Sequence, residues 1–145
     1  MHPPTRAVEA SGPTPASPLP WAVFWLLEPG SPADRLERKA LAASVTRWRA
    51  SGYSLVVVVE GLLTAGMPDL ETLGVEVLGD DSGYLARAYG VARPGRERYG
   101  FVARRAFVAV GADGRVAKRA FLYQVEEDVS ALLDELCPFP VEEPG

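Results

Sequence analysis

Two nearly continuous apolar runs, Trp21 to Leu27 (WAVFWLL) and Tyr53 to Val59 (YSLVVVV), constrain this chain more than any other feature. Runs of that length without polar alternation belong to strands covered on both faces. Helix signals lie between them. Pro32 suits a first helical turn, and Asp34 favours the positive end of the helix dipole. Leu36, Ala40, Leu41, Val45 and Trp48 then recur at helical spacing as far as a stop at Gly52. A single helix joining two buried strands requires a right-handed parallel crossover, which places the chain in the α/β class.

The remaining segments extend that unit. Pro68 to Leu73 predicts a short helix, Val75 to Leu78 a short strand, and Ser82 to Tyr89 a helix capped by Asp81 or Ser82 and stopped by Gly90. Residues 92–100 (ARPGRERYG) read as a charged loop. Ala106 to Val110 and Arg115 to Tyr123 flank Gly111-Ala-Asp-Gly, a hairpin signal. Glu126 to Leu136 is a last helix with Val129, Leu132, Leu133 and Leu136 as its apolar stripe, ended by Pro138. The order implies a three-layer α/β/α fold whose mixed central sheet finishes in an antiparallel hairpin. Residues 1–19, rich in Pro, Ser and Ala, read as an arm that lies against this domain or a neighbouring chain. Residues 20–137 read as one domain and 138–145 as a tail.

Several functions are excluded. A net charge of −4 argues against nucleic acid, and no apolar run reaches the roughly 20 residues of a bilayer span. No basic start precedes an apolar stretch, so a cytoplasmic location is expected. Cys137 is the only cysteine and His2 the only histidine, which removes internal disulfides, Cys-x-x-Cys pairs, zinc sites and Ser-His triads. No metal or cofactor is expected.

Residues 79–91 (GDDSGYLARAYGV) resemble the Asp-x-x-Gly-x-x-Ala-x-x-Tyr-Gly-Val segment of the peroxiredoxins, the AhpC/TSA-like branch of the thioredoxin fold. Residues 105–116 (RAFVAVGADGRV) are similar, without gaps, to that family's strand and hairpin. Arg105-Ala106 stands where thioredoxins carry a cis-proline and peroxiredoxins an arginine with a small residue. The resemblance spans residues 20–136 and implies a thioredoxin-like fold.

It also implies a site. The family's chemistry rests on a Pro-x-x-x-Thr-x-x-Cys motif at the first helix N-terminus, where the dipole and an arginine lower a thiol pKa. The turn Pro29-Gly30-Ser31-Pro32 takes its place here, with Ser31 at the cysteine position and the threonine missing. An alcohol ionises far above neutral pH, and local electrostatics shift a pKa by a few units only, so peroxidase chemistry through this turn is expected to be absent. Backbone amides of the turn, Ser31 and Arg105 would leave a small anion site, with Trp25 as its floor; the competing reading is an ordinary capped helix with Arg105 paired to a carboxylate. The leading expectation is a binding or interaction module for a protein partner or small anion. The alternative is a thiol-dependent oxidoreductase that uses Cys137 or a cysteine absent from this sequence. A homodimer exchanging the arm is a third reading. Cys137 reads as an apolar helix-end thiol, Asp80 and Asp81 as cap and turn, and the Arg93, Arg96, Arg98, Arg104 and Arg105 cluster as solvated surface.

Overall fold

The computed structural model describes residues 14–26, 32–60, 67–80, 83–94, 101–103 and 105–137. Its central sheet has five strands in the order β3-β2-β1-β6-β7. These are β1 (Trp21–Leu26), β2 (Ser54–Glu60), β3 (Glu76–Asp80), β6 (Ala106–Val110) and β7 (Val116–Phe121). The helices are α1 (Pro32–Ala50), α2 (Pro68–Glu71), α3 (Tyr84–Ala88) and α4 (Val125–Leu136). β1 pairs parallel with β2 and antiparallel with β6, so the first apolar run is the centre of the sheet.

Both faces of β1 are covered, which is why its sequence does not alternate. Ala22, Phe24 and Leu26 pack beneath α1 and α4 with Leu41, Trp48, Val129 and Leu133. Trp21, Val23 and Trp25 face the other way, onto Leu85, Ala86 and Tyr89 around α3. Phe24, Trp48 and Phe107 form an aromatic triangle with centroids 4.9 to 6.0 Å apart. Such ring pairs add about 0.5–1.5 kcal/mol each beyond area burial.

The turn chemistry follows from residue type. α1 stops where Gly52 takes a φ of 91°, and Tyr53 N–H donates to Trp48 O at 3.0 Å as the chain turns into β2. Gly90 ends α3 at a φ of 77°. A side chain there would meet Arg119 of β7, whose Nε donates to Tyr89 O at 2.7 Å.

Four expectations need correction. Residues 92–94 are not loop: β4 (Ala92–Pro94) pairs antiparallel with β5 (Phe101–Ala103), a backbone pairing that charged residues do not prevent, and residues 95–100 lie outside the described residues. α3 begins at Tyr84, with Gly83 as its N-cap and no side-chain bond from that residue. Its amides are capped from Asp80 instead, with Leu85 N–H donating to Oδ1 and Ala86 N–H to Oδ2, each at 3.1 Å. Asp81 and Ser82 lie outside the described residues. Strand β7 is shorter than expected, since the hairpin turn holds Arg115 and Leu122 N–H donates to Arg105 O just past the strand. Leu36 is 69 % exposed and does not belong to the apolar stripe of α1. Leu41, Ser44, Val45 and Trp48 are buried, and the position one turn before Leu41 on that face is Glu37.

The arm, where described, lies against its own domain. Ala16 and Ser17 amides and the Ser17 hydroxyl donate to the Glu76 carboxylate at 2.7 to 3.0 Å. Trp21 Nε1–H donates to Ser17 O, and the Ser54 hydroxyl donates to Pro18 O, both at 2.7 Å.

Candidate functional site

The parallel strands and α1 direct the chain to one pole of the sheet, at the C-terminal end of β1 and the N-terminal end of α1. The register Trp25 to Ala106 sets Arg105 beside the last residue of β1. Its carbonyl accepts the Leu122 amide at 2.8 Å, which ties the start of β6 to the end of β7. Its Nε lies 2.6 Å from Glu37 Oε2. The approach is off the N–H axis, so the contact is ionic rather than a hydrogen bond. With side-chain exposures of 29 % for Arg105 and 11 % for Glu37, the pair is partly desolvated and stronger than an open surface pair. The contact uses the Nε edge and leaves the two terminal nitrogens of Arg105 without a partner among the described residues.

Glu37 was not singled out by its sequence position. The available signal was periodicity: a carboxylate on the inward stripe of α1, four residues before Leu41, is costly to bury unless a cation faces it. Arg38, the next residue, reaches α2 by an ion pair to Asp69 at 3.4 Å and helps hold this half of α1.

The other expected site residues distribute differently. Pro29, Gly30, Ser31 and Arg104 lie outside the described residues, as do Arg96 and Arg98. Trp25 is 1 % exposed and sits on the α3 face of the sheet, edge-on to Tyr89 at 6.4 Å, whereas Glu37 belongs to the helix on the opposite face. Its buried Nε1–H has no hydrogen-bond partner among the described residues. Trp25 therefore supports the pole from beneath the sheet and does not line the α1 side.

Cys137 is buried at the C-cap of α4, its amide donating to Leu133 O at 2.7 Å. Its carbonyl accepts Arg47 Nε–H at 2.9 Å. Arg47 lies in the last turns of α1, about 22 Å along the helix from Pro32 at 1.5 Å per residue. The only thiol of the chain is thus at the pole opposite the α1 N-terminus. There it adjoins Tyr53, whose phenol is pushed above its ordinary pKa by burial first and by Cys137 second. Among the described residues no cluster of His, Cys, Asp and Glu could hold a metal ion, and no helix is long and apolar enough to cross a membrane.

No family model and no curated protein matches the sequence. Solved structures do. Peroxidoxin BcpB from Mycobacterium tuberculosis superposes with a TM-score of 0.68 at 16% identity, covering 83% of this chain and 80% of its own. Peroxiredoxin Q from Xanthomonas campestris gives 0.63 at 15% identity, covering 80% and 76%. AhpC from Mycobacterium tuberculosis gives 0.60 at 19% identity, covering 80% and 66%. A mixed five-stranded sheet with helices on both faces, an arginine at the head of β6 and this set of neighbours agree: the chain has the peroxiredoxin-like form of the thioredoxin fold.

Proposed function

We propose that this chain is a peroxiredoxin-like protein without peroxidase activity, which works as a binding or interaction module and holds a small anion at the N-terminal pole of α1. The observation that carries the reading is the separation of parts: Arg105 stands at one pole and the only thiol, buried, at the other. Peroxide reduction needs a thiolate that attacks one peroxide oxygen, takes it as a sulfenic acid and releases water or alcohol. A serine hydroxyl at residue 31 cannot supply that electron pair at neutral pH. What Arg105 retains is its outer pair of nitrogens, with its Nε held against Glu37 in the second turn of a nineteen-residue helix whose free N-terminal amides would favour an anion.

The experiment uses the full chain. Substoichiometric hydrogen peroxide is added, the Cys137 thiol is titrated after denaturation, and turnover is followed with dithiothreitol as reductant. The expected result is a retained thiol and no catalysed peroxide loss. Rapid loss of the thiol with turnover would establish the second reading, a thiol oxidoreductase working through Cys137, which the peroxiredoxin-like fold favours. For the anion, sulfate titrated against amide resonances should shift the start of α1 in a saturable way, and Arg105→Gln should abolish that shift. An unchanged response in the variant removes the anion from the proposal. A homodimer that exchanges the arm is a separate, third reading, and an unchanged solution mass after deletion of residues 1–18 counts against it.

A further inference from the structure

The pole opposite Arg105 contains a cleft of about 240 Å³, walled by the arm at Ser17 and Pro18, by Val45 and Arg49 of α1, and by Tyr53 and Gly74. Arg49 is the one charged side chain among its lining residues. The exposed guanidinium is tethered by one bond: a terminal nitrogen donates to Leu73 O at 2.6 Å. It passes so close to Gly74 that a side-chain carbon there would lie 2.7 Å from it, at a glycine with a φ of 86°.

The hydrogen-bonding balance of the lining is uneven. Ser17 already donates to Glu76, and Ser54 already donates to Pro18 O. The remaining N–H groups of Arg49 and the Tyr53 hydroxyl have no partner among the described residues. An arginine carries five donors and no acceptor, so the unused capacity at Arg49 consists of donors on one positive charge. The raised Tyr53 phenol keeps its proton at neutral pH and adds to them. Val45, Pro18 and the Tyr53 ring supply apolar wall. At about 30 Å³ per water in the liquid, the space corresponds to roughly eight waters, the size of a small organic molecule.

We propose that this cleft binds a small carboxylate with a flat apolar body, its carboxylate on Arg49 and Tyr53 and its body against the arm. Arg49 is about 18 Å along α1 from Glu37, the contact of Arg105, so the site stands or falls independently of the function proposed there.

Benzoate is the probe and benzamide its neutral counterpart, each titrated into the full-length protein and followed by amide resonances of Gly52, Tyr53 and Gly74. Benzoate should give saturable shifts with a Kd on the order of 10 mM, as expected for a ligand of this size. Benzamide should bind roughly tenfold more weakly, because the charge-assisted bonds to Arg49 are lost. Arg49→Gln should weaken benzoate by a similar factor, while Arg35→Gln, an exposed change on the same helix, should leave it unchanged. Should Arg49→Gln fail to fold, Tyr53→Phe removes one donor alone and is expected to weaken benzoate about threefold. Equal binding of benzamide, unaltered affinity in these two variants, or absence of a saturable shift would each overturn the proposal.

Discussion

The two ends of α1 are built on different physics. At its N-terminal end a charged pair, Glu37 and Arg105, bridges helix and sheet across 68 positions of sequence. At its C-terminal end Trp48 is fully buried, stacked on Phe107 at 5.7 Å and edge-on to Phe24 and Tyr53, and Cys137 closes the same apolar cluster. An electrostatic pair in partial contact with water contributes little net stability, because desolvation offsets attraction. Close-packed aromatic rings contribute a great deal. The comparison suggests a division of labour in which one pole holds the molecule together and the other presents charge.

The largest test of that contrast is Trp48→Ala. It should cost about 3–5 kcal/mol in denaturant unfolding, the range for large aromatic truncations in cores. A loss below about 1 kcal/mol would show that the C-terminal pole is not the stabilising one. Next in size is Asp80→Ala, at the same pole as Arg105. Asp80 is buried and holds two α3 amides, so its removal leaves two donors unpaired and should cost about 1–3 kcal/mol. Early loss of amide protection at Leu85 and Ala86 is the accompanying sign.

Glu37→Gln should change stability by less than about 1 kcal/mol while strengthening sulfate binding at Arg105, since one competing anion is removed. A large stability loss with no gain in binding would break the division. The smallest effect is one of pH. Tyr53 has a folded-state pKa raised by burial and by Cys137, so its contribution to stability is complete below about pH 10 and is lost as pH rises through the folded-state value. Tyr53→Phe should flatten that alkaline decline in a series of unfolding curves.

The difference between the poles also explains what could be read from the chain. The apolar stripe of α4, the glycine stops at Gly52 and Gly90 and the hairpin at Gly111 to Gly114 depend on neighbours within a few residues, and the structure has them where periodicity and residue type place them. Asp80 was legible as a cap or turn residue, although its reach to Leu85 and Ala86 was not. Leu36 misled, because a leucine beside an inward glutamate satisfies the same spacing pattern. Strands β4 and β5 were hidden by their short length and charged surroundings. At the site, Arg105 was visible from its place before an apolar strand and from the resemblance to peroxiredoxins. Glu37 was not, since its meaning depends on a partner far away in sequence.

The sequence by itself determined the α/β class, the buried character of β1 and β2 and the presence of a single cysteine, because these follow from local pattern and composition. Only the tertiary structure decided that Arg105 meets Glu37, that Glu76 anchors the arm, and that Cys137 meets Arg47, about 15 Å further along α1 than the Arg105 contact. The reason is chain geometry. Which side chains converge is set by strand order and register, and contacts that join distant residues leave no periodic mark along the chain.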